Sequence, residues 1–320
     1  MKYPNLNLTL SSSPHSHSKN STAVIMRDVC IALIPALIAA IWLFGPRALT
    51  MTVVSSASCV VFEWAYRNLM KKDQTVSDWS AVVTGMLVAF VCPVNLPMWT
   101  LVLGDFFAIV VVKQLFGGIG MNIVNPALAA RAFMFSWPSL MSGNWISPLD
   151  GTTCATPMAA LSEGTLPAES LLDLFLGKVG GSFGEVSALA LILGGAYLLV
   201  RKVISARIPL AYLLTVAVLA FCFPVGGNAR LDWMLYQLLS GGLMLGAIFM
   251  ATDYTTSPVT HGGQIVFGIG CGVLTIALRY FGSYVEGVSY AILIMNCCVG
   301  FFDKIGIPKR FGLKKGGEAK

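Results

Sequence analysis

Long apolar stretches alternate with short polar connections along this chain. The stretches approach or exceed the ~20 residues that an α-helix needs to cross a bilayer. Ten are read, at about 24–44, 47–66, 79–95, 98–116, 126–141, 183–200, 208–225, 233–251, 263–281 and 285–302. The first two and last five are clear. The third runs into Pro93 and Pro97, and the fifth is short and contains Arg131. The pattern predicts an all-α integral membrane protein of about ten transmembrane helices. The first 22 residues are polar and rich in Ser, without an apolar core, and are not expected to form a cleavable signal peptide.

Ten spans divide into two sets of five that echo each other. Thr84-Gly85-Met86-Leu87 in the third pairs with Gly241-Gly242-Leu243-Met244 in the eighth, and Met121 to Asn125 pairs with Ile294-Met295-Asn296. An odd number of spans per set inverts the second set, and inverted repeats place ligand sites near the membrane midplane, where helices break. Breaks are predicted at Cys92–Pro97, Gly117–Pro126 and Thr252–Pro258, where polar groups adjoin Gly or Pro. Irregular backbone survives in hydrocarbon only inside protein or against a cavity. The expected organisation is a cytoplasmic tail at 1–22, a first five-helix repeat at 23–141, an extracytoplasmic loop at 142–182, a second repeat at 183–303 and a basic tail at 304–320.

Composition agrees with lipid as the solvent: 56% of residues are hydrophobic and 11% charged, where a soluble domain carries roughly 25% charged. Mean hydropathy is +0.76. Charge also sets orientation. With a cytoplasmic N-terminus, all of the 21 Lys and Arg residues except Arg47, Arg131, Lys178, Arg230 and Arg279 fall on inner segments. Both termini are therefore expected inside, and the loop at 142–182, with Asp150, Glu163, Glu169 and Asp173 against Lys178, outside.

Ionisable groups near membrane depth are functional candidates by default. Glu63 has Arg67 at i+4, which explains it as a helical ion pair. Lys113, near a helix end, is expected to snorkel. Asp105 has no local partner and is a candidate for an ion path. Arg131 lies under two turns beyond Asn125-Pro126 and can face the same cavity, and Asp253, bracketed by hydroxyls, is the most ligand-like. The eight Cys form no CxxC pair, and three His are too scattered for a metal cage. A cluster shared with another chain stays open. Gly118-x-Gly120 and Gly268-x-Gly270-x-Gly272 lack the strand-turn-helix setting of a dinucleotide loop and are read as close helix packing.

One polar segment stands apart, Asp150-Gly151-Thr152-Thr153-Cys154-Ala155-Thr156-Pro157. It resembles the signature at which a flavin transferase esterifies FMN phosphate onto threonine in bacterial redox pumps. An Asp-Gly pair opens that signature and the acceptor follows a small residue and Ala, which here selects Thr156. Pro157 restricts Thr156 to extended backbone. With the ten spans, Asn122-x-x-Asn125-Pro126-Ala127 and Ala251-Thr252-Asp253, the whole chain resembles the D subunits of Rnf complexes, ion-translocating ferredoxin:NAD oxidoreductases. It is also similar to the B subunits of sodium-pumping NADH:quinone reductases. Tyr254 departs from the family, which often places Pro there.

The resemblance implies FMN held covalently at Thr156, next to Asp150 and Gly151, and a non-covalent flavin, riboflavin, near Asn122, Asn125 and Asp253. It implies a multi-pass subunit of the bacterial inner membrane that passes electrons between flavins and partner subunits while Na+ or H+ moves. The implied partners are a second flavoprotein subunit, iron–sulfur subunits and a flavin transferase for maturation, with no nucleic acid. No NAD or ferredoxin site is visible on this chain. The competing class is a solute channel of the urea or ammonium type, which also uses inverted five-span repeats; a scaffold with a vestigial site is a third.

Overall fold

The structure is a computed structural model that describes residues 21–141, 145–148, 152–282 and 287–305. Asp150 and Gly151 lie outside the described residues. Helices occupy each of the ten apolar stretches. In the first half they are α1 (Thr22–Phe44), α2 (Pro46–Leu69), α3 (Ser80–Phe90), α4 (Met98–Phe106, continued by a π-helix at Phe107–Gln114), α5 (Pro126–Met134) and the short α6 (Pro138–Met141). The connection that follows carries α7 (Pro157–Ser162) and α8 (Leu171–Leu176). The second half contains α9 (Ala188–Val200), α10 (Arg207–Cys222), α11 (Arg230–Leu239), α12 (Leu243–Leu245, continued by a π-helix at Gly246–Met250), α13 (His261–Phe281), α14 (Val288–Cys297) and α15 (Val299–Phe302).

By length and apolarity α1, α2 and α13 can each cross a membrane, and α11 with α12 forms an apolar pair bent by 65°, the geometry of a broken span or a re-entrant loop. That bend corrects the reading of 233–251 as one clear span. Gly241 and Gly242 both take positive φ, +68° and +67°, a conformation that favours glycine. The carbonyls left open at the end of α11 are closed by Arg279, which donates to Gln237 O at 2.6 Å and Ser240 O at 2.9 Å.

Neighbour relations recur between the halves. α2 packs on α3 and α4 as α10 packs on α11 and α13, and α4 meets α5 as α13 meets α14. The halves touch through α1 with α9 and α5 with α14. Asp28, buried on α1, ties the first of these pairs by accepting from Arg201 Nη2 at 3.0 Å. The π-helices fall in the fourth helix of one half and the third of the other. Trp79 before α3 and Gly242 before α12 hold the same left-handed conformation, at φ 65° and 67°.

The glycines of α13 do pack helices. A Cβ on Gly268 would lie 2.8 Å from Ala211 Cβ and 2.9 Å from Ile208 O, and one on Gly272 would lie 2.7 Å from Thr215 Cβ. Overpacking of this kind costs about 1–3 kcal/mol. Gly268→Ala is thus expected to lower the thermal unfolding temperature in detergent, whereas Gly300→Ala, where a Cβ meets nothing, is expected to leave it unchanged or slightly raised.

Candidate functional site

Two of the three predicted breaks meet at one cavity. The segments 117–125 and 252–258 are non-helical, and between them lies a cavity lined by Asn122, Asn125 and Asp253 together with Thr84, Lys113 and Tyr254. Its remaining wall is mostly apolar, from α1, α3, α9 and the α12 π-helix. The third break, at Pro93, takes no part. Its carbonyls are closed from elsewhere, Val94 O by Arg47 Nε at 2.8 Å, Val91 O by Ser182 Oγ at 3.2 Å and Phe90 O by Gly184 N at 3.1 Å.

The three predicted residues differ in what they have to offer. Asn125 is occupied by the fold. Its Oδ1 caps α5 by accepting from Ala127 N at 3.0 Å, and its Nδ2 donates to Met250 O at 3.3 Å. With its amide turned to satisfy both neighbours, Asn296 accepts from Asn125 N at 3.1 Å and donates to Thr256 O at 3.0 Å, so it bridges the two breaks. Asp253 accepts at Oδ2 from Thr255 Oγ1 at 2.9 Å and Thr256 Oγ1 at 3.1 Å. Asn122 is the exception: its Oδ1 is buried and, among the described residues, has no hydrogen-bond partner. Such a group costs roughly 1–3 kcal/mol unless a ligand or water completes it. Tyr254, the departure from the family pattern, donates its hydroxyl to Val203 O and so holds the α9–α10 turn at the rim.

Lys113 corrects two expectations at once. It does not snorkel but is buried, donating to Glu63 Oε2 at 2.7 Å and Ser80 Oγ at 2.6 Å. Glu63 is therefore paired first with Lys113; Arg67 at i+4 stands 3.8 Å away. Lys113 is the cation that lines the cavity, and its network leaves one ammonium N–H unassigned.

A second, smaller pocket is lined by Thr156, Gly180, Gly181, Glu185, Gly241 and Gly242, among others. Thr156 precedes α7 in extended backbone, φ −75° and ψ 153°, as Pro157 requires. Among the described residues its half-buried hydroxyl has no hydrogen-bond partner. Thr152 and Thr153 are exposed, and Thr153 bridges Ile146 in an antiparallel pair. Burial and nearby Glu169 push the Cys154 thiol up, so it stays protonated at neutral pH. Arg131 does not reach the larger cavity. It pairs with Glu185 beside the smaller one, a partner that sequence reasoning missed although a cation at membrane depth demands one. Among the described residues no group of His, Cys, Asp or Glu forms a metal site.

The eight residues Leu243–Met250 connect the pockets. Gly241 and Gly242 at their start line the smaller pocket, and Phe249, Thr252 and Asp253 at and beyond their end line the larger. At helical rise that is about 12 Å of chain.

Residues 9–312 match the family described as NQR2, RnfD, RnfE. The chain is 50% identical over 97% of its length, and 97% of the relative's, to the D subunit of the Na+-translocating ferredoxin:NAD+ oxidoreductase complex of Acetobacterium woodii. It is 38% identical to the D subunit of the proton-translocating ferredoxin:NAD+ oxidoreductase complex of Clostridium ljungdahlii, over 96% of this chain and 97% of that one. The D subunit of the ion-translocating oxidoreductase complex of Stutzerimonas stutzeri is 36% identical over 92% and 93%.

Substitution separates the roles of the two asparagines. Asn125→Ala removes a cap and a tie between the halves and is expected to cost about 1–2 kcal/mol of stability. Asn122→Ala removes an oxygen without a partner and is expected to stay within about 0.5 kcal/mol. Thermal unfolding of the two variants in the same detergent checks the contrast.

Proposed function

Because the chain belongs to the NQR2, RnfD, RnfE family, we propose that it is the D subunit of a membrane-bound, ion-translocating ferredoxin:NAD+ oxidoreductase. In this reading it is a multi-pass protein of the bacterial inner membrane with both termini cytoplasmic. Its ten helical segments form two inverted five-helix repeats, a reading supported by the recurring neighbour relations of α1–α5 and α9–α14. It works with a second flavoprotein subunit and iron–sulfur subunits, which supply the ferredoxin and NAD sites, and the complex moves Na+ or H+.

The chain's own contribution is to hold two flavins. FMN is joined by a phosphoester to Thr156, within the signature opened by Asp150 and Gly151, and riboflavin lies non-covalently in the larger cavity. The residues fit both groups. The Thr156 hydroxyl is uncommitted and fixed in extended backbone, a nucleophile available for a phosphoester. In the larger cavity the Asn122 Oδ1 acceptor lacks a donor, and an isoalloxazine ring carries such a donor at its polar edge and an apolar body for the rest of the wall. Asp253 and Thr84 add further polar groups there, while Asn125 shapes the break.

Bound flavins supply the redox chemistry, and the protein sets their environment and separation. Lys113, paired with Glu63 and Ser80, leaves one ammonium N–H at the cavity wall that a ligand acceptor can take. The single observation that carries this reading is the bent α11–α12 helix, whose eight-residue second limb begins next to Gly242 of the Thr156 pocket and ends three residues before Asp253 of the larger cavity.

Peptide mapping of the protein purified with its flavin transferase is expected to find a phosphoflavin adduct on Thr156, abolished in Thr156→Val. An adduct on Thr152 or Thr153 would move the acceptor. A chain without any covalent flavin would favour the channel class instead.

A further inference from the structure

Asp105 is fully buried on α4, and none of the residues discussed above uses it. Two hydroxyls of α2 surround its carboxylate. Ser55 Oγ lies 2.6 Å from Oδ1 and also 2.8 Å from the Gly85 carbonyl of α3. Ser58 Oγ lies 2.5 Å from Oδ2 and 2.9 Å from Ser55 O. The Cys59 thiol adds a third contact to the carboxyl. Each hydroxyl has one proton and faces two acceptors, so four oxygen–oxygen contacts share two hydroxyl protons. The cluster is thus short of positive charge.

No basic side chain supplies it. Among the described residues Asp105 has no ion pair. On α2 and along α4, Glu63 and Lys113 neutralise each other, and on α5 Arg131 is held by Glu185. From α3 comes only the Gly85 carbonyl. The close approach is built in, because a Cβ on Gly85 would stand 2.7 Å from Ser55 O. An ionised carboxylate without a counter-charge is costly in a low-dielectric interior. Immediately beyond Asp105 the helix widens into its π-helical stretch, a deformation frequent at functional sites.

We propose that Asp105, Ser55, Ser58 and the Gly85 carbonyl form an exchange site for a hard monovalent cation, H+ or Na+. Oxygen-only donors suit either one: a proton sits on the carboxyl, or Na+ takes the two carboxylate oxygens, both hydroxyls and the carbonyl. The site rests on the ion-translocating reading above, but it is distinct from both flavin pockets and can fail without them.

The test uses the purified complex and dicyclohexylcarbodiimide, which adds to protonated carboxyl groups in apolar surroundings and leaves a stable N-acylurea. Mass spectrometry of the peptide bearing Asp105 is expected to show the adduct, forming more slowly as pH rises. For a Na+ site, Na+ but not choline slows it further at fixed pH, and Ser58→Ala raises the Na+ concentration needed by about tenfold. For a proton site, pH acts and Na+ does not. In vesicles, an Asp105→Asn complex with its full flavin content is expected to move fewer ions per electron. No adduct at Asp105, an adduct rate indifferent to both pH and Na+, or an Asp105→Asn complex with the wild-type ion-to-electron ratio would each overturn the proposal. None of these outcomes bears on whether Thr156 carries FMN.

Discussion

In an apolar surround every backbone N–H and C=O must find its partner inside the protein, and this requirement organises the molecule. The fold interrupts its helices repeatedly, and each interruption is closed by a side chain distant in sequence. Arg279 of α13 closes the end of α11. Arg47 closes the Pro93 turn. Asn125 reaches Met250 across the two halves, and Asn296 joins Thr256 to Asn125. A buried carbonyl or amide left open costs about 1–3 kcal/mol, so these ties hold the breaks in fixed places. The pockets follow from that placement.

The same requirement explains where the charges went. Lys113, Arg131 and Arg279 are all buried, and each is committed to a carboxylate or to helix-terminal carbonyls. Arg47 and Arg279, two of the five basic residues assigned outside the inner segments, act as closures, and Arg131 pairs with Glu185. Among the groups that remain uncommitted are the Asn122 Oδ1, the Thr156 hydroxyl and the under-neutralised oxygens around Asp105. Those groups are where ligands would act, because the fold gives them no other use.

Much of this was legible along the chain. Apolar length located the helices, Gly and Pro located the breaks, and hydroxyls beside Asp253 marked a binding segment. The convergence of Asn122, Asn125 and Asp253 on one cavity followed from the breaks. Sequence could not show which of the three amide or carboxylate groups was free, because Asn125 is occupied by a carbonyl 125 residues away. Nor could it find Lys113 for Glu63, 50 residues distant, when Arg67 stood at helical spacing. Local periodicity favours near partners, whereas bilayer burial selects whichever partner the tertiary packing delivers. The bend at Gly241-Gly242 was hidden for a related reason: a pair of glycines inside an apolar run reads equally as helix packing or as a break. The positive φ values decide it.

The central claim is that the larger cavity holds a flavin completed by Asn122 and independent of the one on Thr156. Counting flavins per complex in wild type and in Asn122→Leu, divided into acid-extractable and acid-stable fractions, tests it directly. The account predicts loss of one extractable flavin per complex, with the acid-stable flavin on this chain unchanged. A variant that retains its full extractable complement, or that loses both fractions together, would contradict it.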